Sequence, residues 1–453
     1  MISDCRFRSR GSVDGRSCRR ENSFLRSFFL CSVLFVFLLL SPSNSFAERH
    51  SVVTASISVS EEFTDNLFLS RDGRESDWIT TVTPALDYSL LGQHDEITVS
   101  YAPGFAWYYK NPDYNNIRQS ASITGYTELG SHTELNVTDT FIQTEETLSR
   151  DEPTDQTVYR SREPYYTNTA TAEILHQFGP ADTVSLGYTD RFRHSTDPDE
   201  EDSKSHVTNI GLEYWFLPHL GTETDLTYTR GEFSGGELGR GSDDFDLWMG
   251  TLRLIREFSS QFDAFIQYAH TDMNYRGRTV DYEVYDASVG MEYGMEGDML
   301  AAFFVGYVVW AQADRDEEER GYTTIDFSRT FRRTSVSLGA GSGYEETYFG
   351  AENLGFDWYS EVSGSVSRSI SRRLSGTISG DYRRDAYVET EDDRTDYTWT
   401  GTADLTCEIF TWMLTSLTYF HRNRDSSTDE NDFTENSVMF TISLTTDPYR
   451  FGN

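Results

Sequence analysis

The sequence predicts an all-β protein: a transmembrane antiparallel β-barrel of about 20 strands, within a range of roughly 16–20. Three observations predict this fold. Short turns recur about every forty residues, the segments between them alternate apolar and polar side chains, and a secretory leader precedes the first segment. Short turns are expected on the periplasmic rim and long acidic loops on the extracellular rim.

The short turns form a regular series along the chain. They lie 35 to 49 residues apart, near Gly92, Gly130, Gly179, His219, Phe258, Gly297, Arg332, Arg372 and Phe410. Long acidic loops fill the intervals, at residues 150–162, 196–204, 314–321, 389–396 and 425–432. Sorting loops by length onto two rims is typical of outer-membrane barrels, whereas a soluble sandwich or propeller has no reason to do so.

The segments between the turns have the period of two that marks a strand with two different faces. Residues 184–189, 374–382 and 438–444 show it most clearly. Strands of about 10–14 residues are long enough to cross a bilayer at a tilt. One strand before the first loop, two in each of nine hairpins, and one closing strand sum to about 20, an even number that leaves both chain ends periplasmic.

Tryptophans mark both ends of these predicted strands and favour two aromatic girdles at the membrane surfaces. A soluble core would instead place them at strand centres. Toward the long loops lie Trp78, Trp107, Trp310, Trp358 and Trp399, with Trp248 a little further in, and near the short turns lie Trp215 and Trp412.

Residues 1–47 are predicted to be a cleaved signal peptide, and residues 48–453 the barrel. Seven arginines precede an apolar stretch, Phe28–Leu40, and Ser45-Phe46-Ala47 fits a leader-peptidase site. The alternative, a membrane anchor, needs roughly 18–20 apolar residues, and this stretch is shorter. Its cysteine, Cys31, lies within the apolar stretch rather than just after it, which argues against a lipoprotein.

Removal of the leader makes an acidic chain more acidic. The formal charge changes from −36 to −40, because seven arginines and three acidic residues leave (−36 − 7 + 3). Such a surface repels nucleic acid and attracts cations or basic partners. Cys407 alone remains, so the sequence excludes an intramolecular disulfide and a cysteine metal site.

Two stretches near the start resemble a known family. Glu62–Leu69 contains Thr64-Asp65-Asn66, and Asp77–Pro84 follows it. Together they resemble the start of a family of outer-membrane β-barrels associated with exopolysaccharide and PEP-CTERM/exosortase systems. The resemblance extends along the chain to a closing strand, Glu435–Leu444, although Pro448 and the final Gly452-Asn453 depart from the usual terminal aromatic. It implies a porin-like or polysaccharide-associated role and no catalytic residues.

The polar positions between the apolar ones are the candidate lumen residues. Six of these nine are acidic and one is basic: Glu134, Asn136, Glu213, Arg253, Asp263, Gln267, Asp381, Asp404 and Glu408. Acidic walls predict a preference for cations, unless several of these acids pair with arginines across the wall. Trp215 and Phe265 are the candidate lumen aromatics for stacking on saccharides.

One segment, Met299–Ala311, is apolar on both faces. We expect its inner face to be covered by a segment folded into the barrel, and the alternative is a contact between protomers. A homo-oligomer therefore stays open.

Catalytic and cofactor motifs do not emerge from the sequence, so we expect a protein that is not an enzyme and needs no cofactor. His194 and His206 flank an acidic loop that is more simply a solvated loop. A calcium site is a weak hypothesis, because no EF-hand spacing is present. Its candidate ligands are Asp314, Asp316, Glu317, Glu318 and Glu319.

The predicted function is a porin-like channel for ions, small solutes or saccharides. The alternative is a scaffold or export component of exopolysaccharide synthesis that is closed on its own, and a barrel hydrolase has no supporting constellation of residues. Expected partners are outer-membrane lipid, the barrel-assembly machinery, and a saccharide or exopolysaccharide.

Overall fold

The structure is a computed structural model that describes residues 49–146, 162–197, 200–235, 244–277, 279–295, 299–313, 315–347, 355–388 and 394–451. The predicted signal peptide, the turn at Gly297 and the candidate calcium ligand Asp314 lie outside these ranges. Within the described ranges, no helix has both the length and the apolar character needed to span a membrane.

Twenty long strands and one short one make up the described chain. From β1 to β21 their bounds are His50–Thr64, Asp77–Leu91, Asp95–Tyr108, Asn116–Gly130, Thr133–Thr144, Tyr165–Gln177, Thr183–Ser195, Glu201–Leu217, Leu220–Gly235, Phe245–Ser259, Phe262–Tyr275, Tyr282–Met295, Met299–Gln312, Glu318–Phe331, Thr334–Thr347, Gly355–Ser369, Leu374–Tyr387, Thr395–Phe410, Met413–Ser426, Phe433–Thr445 and Tyr449–Phe451. Short 3₁₀ turns occur at Pro112–Tyr114 and Asp429–Asn431.

The sheet closes on itself. Each strand is antiparallel to the next along the chain, and β20 pairs with β1, where Val59 lies opposite Ile442. A lipid bilayer leaves no water to satisfy an open sheet edge, and closure removes that edge. The predicted antiparallel barrel and its twenty strands are confirmed.

The end of the chain also joins the wall. After Pro448, the short strand β21 pairs with the beginning of β1, and Phe451 lies opposite Ser51. The turn that contains Pro448 therefore interrupts the pairing of the last strands with β1, and the pairing resumes in β21.

The predicted short turns all connect consecutive strands on one rim, except for the turn at Gly297, which the structure does not describe. Two residues join β4 to β5, β8 to β9 and β18 to β19. The other rim carries the longer connections, such as residues 65–76 between β1 and β2.

The outer face of the barrel is apolar. Along β7 and β8, Leu186, Tyr188, Ile210 and Leu212 are exposed, while the alternate side chains point inward. Exposed aromatics lie toward both rims: Trp78, Trp107, Trp248 and Trp399 on the long-loop side, and Phe258, Phe410 and Trp412 on the short-turn side. A closed barrel with this outer band is an outer-membrane protein of a Gram-negative bacterium.

Three tryptophans predicted to join these girdles lie inside the barrel, and for them the prediction is wrong. Trp310 and Trp358 are 0% and 3% exposed and belong to one hydrophobic cluster. Trp215 is half-buried on the inner face, where its Nε1 donates to Glu213 at 2.7 Å. Position near a strand end does not determine burial. Trp215 and Trp310 occupy inward-pointing positions on their strands, whereas Trp358 occupies an outward-pointing position on a strand end that is packed inside the barrel.

Candidate channel lumen

The inner face of the barrel carries all nine predicted lumen residues. Glu213, for example, lies between the exposed, outward-pointing Leu212 and Tyr214. All nine are half-buried, as expected for side chains on the wall of a cavity. Their role in conduction stays a prediction.

Carboxylates gather on the short-turn half of this inner wall, across β8 to β12. Glu213 lies opposite Glu223, and Asp263 lies opposite Glu292. Three further carboxylates, Glu223, Asp225 and Glu292, were not among the predicted lumen residues, although alternation along β9 and β12 indicates their inward positions. We call this group the inner acidic patch, and it comprises Glu213, Glu223, Asp225, Asp263 and Glu292.

One guanidinium lies within the inner acidic patch. Arg253 donates from Nε to Gln267 at 3.0 Å and from Nη1 to Glu223 at 3.4 Å. Its guanidinium carbon also lies 4.2 Å from the centre of the Phe265 ring. A single arginine cannot balance five carboxylates, so the patch keeps a net negative charge.

Replacing Arg253 by glutamine should increase the preference for cations. The substitution removes the one positive charge from the inner acidic patch and keeps a group that can bond Gln267. The reversal potential under a KCl gradient should therefore move toward the potassium equilibrium potential. Arg256→Gln is the matched control, because Arg256 is exposed and alternates onto the outer face of the same strand. Equal shifts in both variants would contradict this assignment.

Phe265 is buried, unlike the half-buried Trp215. Its ring contacts Phe304 with centres 5.3 Å apart, and Gly290 allows this approach. A Cβ at Gly290 would lie 2.4 Å from the Phe265 ring. Trp215 is therefore the more accessible of the two predicted stacking aromatics.

On the long-loop side, three strand ends bend into the lumen. They are residues 342–347 of β15, residues 355–360 of β16, and residues 386–388 at the end of β17, and together we call them the flap. By the two-residue period of their strands, Tyr344, Phe356 and Trp358 occupy outward-pointing positions. Leu338 and Val362, on the same side of these strands, are exposed on the outer face. In the flap, however, they pack against side chains from the inner faces of β10 to β13.

Aromatic contacts hold the flap against the opposite wall. The Phe356 ring lies 5.8 Å from that of Trp310 and 5.9 Å from that of Tyr282, and both partners point into the barrel. The Tyr282 hydroxyl also donates to Glu346 at 3.1 Å. The expectation that a folded-in segment covers the inner face of Met299–Ala311 is confirmed for its long-loop end, where Val308 and Trp310 are completely buried under the flap.

A charged network covers the other side of the flap. Arg383 donates from Nε to Asp385 at 2.6 Å, and its Nη2 contacts Glu345 and lies 3.6 Å from Asp357. The network continues at the start of β18, where Arg394 donates to Asp396 at 2.7 Å. Asp357, Asp385 and Asp396 are each at most 1% exposed. These ion pairs are consequently shielded from solvent.

The first long loop, residues 65–76, also packs into the barrel. Leu67 is buried against Ile79 and Tyr108, and its carbonyl accepts two hydrogen bonds from the Arg162 guanidinium, at 2.8 and 3.0 Å. At the surface of the same loop, the Asp429 carboxylate accepts a hydrogen bond from Arg71 and raises the pKa of that guanidinium above its usual value.

The resembling motif Thr64-Asp65-Asn66 has a definite structural role. Asp65 accepts hydrogen bonds from the backbone and side-chain amides of Asn436, both at 2.7 Å. Thr64 donates to Glu435 at 3.1 Å, and Asn66 donates to the Thr434 carbonyl at 2.9 Å. The motif therefore fastens the first loop to the last long strand where the barrel closes.

The candidate calcium ligands that the structure describes do not converge. Glu318 accepts a hydrogen bond from Trp358 Nε1 at 3.0 Å inside the barrel, while Glu319 accepts one from Tyr307 on the outer face. Adjacent strand residues point to opposite faces, so these two carboxylates cannot share one ion. In the described part of the chain, no three His, Cys, Asp or Glu side chains form a metal-binding group.

Comparisons with known proteins support the fold. No protein-family model and no curated protein matches the sequence. Among solved structures, the FrpB iron transporter of Neisseria meningitidis is similar with a TM-score of 0.51 and 7% identity, covering 87% of this chain and 81% of that one. The siderophore receptor PirA of Pseudomonas aeruginosa is similar with a TM-score of 0.50 and 8% identity, covering 86% and 80%. OccK3 (OpdO) of Pseudomonas aeruginosa has a TM-score of 0.42 and 12% identity, covering 88% and 96%.

At these identities the likeness concerns the fold alone. The chain shares a closed β-barrel architecture with these proteins.

Proposed function

We propose that the protein is an outer-membrane channel through which ions and small solutes diffuse passively, with a preference for cations. The inner acidic patch is the observation that carries the proposal. Five carboxylates share one arginine on the inner wall of a twenty-strand barrel. A barrel of that size is too wide for wall side chains alone to fill. Acidic walls around water concentrate cations and repel anions.

Saccharides are the solutes that we propose beyond simple ions. Trp215 supports this, because its half-buried indole on the inner wall lies beside Glu213. An aromatic face next to a hydrogen-bonding carboxylate suits a sugar ring, which has both apolar faces and hydroxyl groups. A link to exopolysaccharide rests on the family resemblance.

A second candidate function is a scaffold or export component that is closed on its own. The packed long-loop side of the lumen favours it, because the flap, the charged network and the first loop all occupy that end. A barrel closed there and open toward the short turns would admit cargo from the periplasm.

Neutralising the inner acidic patch tests the channel proposal. In Glu213→Gln/Glu223→Gln/Asp225→Asn, the cation preference of the protein purified from outer membranes should fall, and the reversal potential under a KCl gradient should approach zero. The matched control is Asp272→Asn/Glu283→Gln/Glu319→Gln, which removes three charges from the outer face. An unchanged reversal potential in the first variant would overturn the assignment of the patch as the selectivity site.

A further inference from the structure

Two neighbouring strands separate halfway along their length. β14 and β15 pair from Phe331 opposite Thr334 up to Thr324 opposite Gly341. Both strands continue beyond that point, to Glu318 and to Thr347. The adjacent pairs, β13 with β14 and β15 with β16, stay joined to their loop ends. Among the described residues this fork is where the flap leaves the wall.

Beyond the fork, the facing edges of β14 and β15 no longer pair with each other. Inside a barrel wall such edges are costly, because backbone amides and carbonyls need hydrogen bonds. Beyond the last paired residues, the Thr323 amide donates to the Ser342 hydroxyl at 3.4 Å, and Trp358 of the flap donates from Nε1 to Glu318 of β14 at 3.0 Å. If the same register continued, Gly321 would lie opposite Tyr344 and Arg320 opposite Glu345. The second of these is a favourable cross-strand charge pair.

The side-chain pattern of the flap suits such a paired wall. Tyr344, Phe356 and Trp358 occupy outward-pointing positions by the two-residue period of their strands. Paired with β14, they would lie on the lipid side toward the long loops, as the exposed Trp248 and Trp399 do. Glycines at 339, 341 and 343 place no side chain on the inner face of β15 where the bend begins, and glycine in a strand allows such bending.

We infer that the flap is a gate with two positions. In one it lies in the lumen, held by aromatic packing on Trp310 and Tyr282. In the other it pairs with β14 and completes the wall, which opens the long-loop side of the lumen. A sequence that satisfies two discrete arrangements is the physical basis of a switch. The inference rests on the proposed channel function only in that the flap would control conductance.

A disulfide can trap the second position. Gly321→Cys and Tyr344→Cys should meet only when β15 pairs with β14, and Cys407→Ser removes the remaining cysteine of residues 48–453. Mild oxidation of the folded protein should form the cross-link, detected by mass spectrometry of linked peptides. The control pair, Gly321→Cys with Val362→Cys, should not cross-link, because Val362 lies on β16 and β15 separates it from β14. A yield no higher than that of the control would overturn the two-position flap.

Conductance of the cross-linked protein separates this inference from the proposed function. Minor conformations are typically populated at roughly 0.1–10%, so locking the open one should raise the time-averaged conductance at least about tenfold. A reductant should reverse the rise. A cross-linked protein without current would show a moving flap in a barrel that is not a channel. Steady current with no cross-link would overturn the gate and leave the channel intact.

A second variant avoids changing the flap itself. Trp310→Ala removes the ring on which Phe356 rests while leaving the edges of β14 and β15 intact. Openings should become longer than in the parent protein. Trp399→Ala is the control, since that side chain is exposed on the outer face. Equal open times in the parent and Trp310→Ala would contradict a flap held by aromatic packing.

Discussion

Replacing Arg383 by methionine should lower the free energy of unfolding by about 3–5 kcal/mol, the cost of removing one partner from a buried ion pair. Arg383 is the shared partner of Asp385 at 2.6 Å, Asp357 at 3.6 Å and Glu361 at 3.7 Å, and it also contacts Glu345. Methionine keeps most of the apolar stem and removes the charge. The buried carboxylates of Asp357 and Asp385 would then lie in the barrel without this counter-charge.

Urea unfolding of the barrel in lipid vesicles measures this effect. The control is the next residue, because Arg384 points to the outer face and its guanidinium lies 5.8 Å from the Tyr397 ring. Arg384→Met should change the free energy of unfolding by within about 0.5 kcal/mol, the usual range for surface substitutions. Similar losses in the two variants would show that the charged network does not stabilise the fold.

Asn66→Ala should lower the free energy of unfolding by about 2–4 kcal/mol, because a buried polar contact costs roughly 1–3 kcal/mol for each group left unsatisfied. Asn66 is completely buried and donates to the carbonyls of Ser70 and Thr434 at 2.8 and 2.9 Å. It also accepts a hydrogen bond from the Ser70 amide at 2.9 Å. Alanine would release the first loop from the last long strand.

The same urea titration provides the measurement, with Asn136→Ala as the matched control. Asn136 is half-buried on the open part of the inner wall, so its loss should have little effect on stability. If Asn66→Ala unfolds at the same urea concentration as the control, the motif does not secure the barrel closure.

The architecture was predictable because the membrane imposes it. The alternation of apolar and polar residues predicted the two faces of a strand, as along residues 184–189, and the number of short turns predicted the number of hairpins. Closure then followed from the need to satisfy every backbone group in lipid. The pairing of β20 with β1 needed no motif of its own.

The inward bend of the flap was not predictable from the same pattern. Phe356 and Trp358 occupy outward-pointing positions on their strand, so a period of two predicts that they belong to the outer girdle. Their burial depends on where β14 and β15 stop pairing. Alternation records which side of a strand a residue occupies, and it does not record which way the sheet turns.

The candidate site could be predicted only in part, because it depends on which strands lie side by side. Glu213 and Asp263 could be assigned to the inner face from their own strands, but the patch arises only when β8 to β12 lie side by side. Register brings Glu223 between Glu213 and Arg253. Likewise, the resemblance singled out Thr64-Asp65-Asn66, while its contacts with Asn436 come from a strand some 370 residues later.

Single-channel recording of the purified protein in a planar bilayer tests whether the barrel is a channel. We expect intermittent, cation-selective openings, since the inner acidic patch would select cations and the flap would interrupt the current. Anion-selective openings would contradict the role of the patch. Sustained silence from demonstrably folded protein, with the flap cross-linked to β14, would contradict the channel itself and favour the closed scaffold.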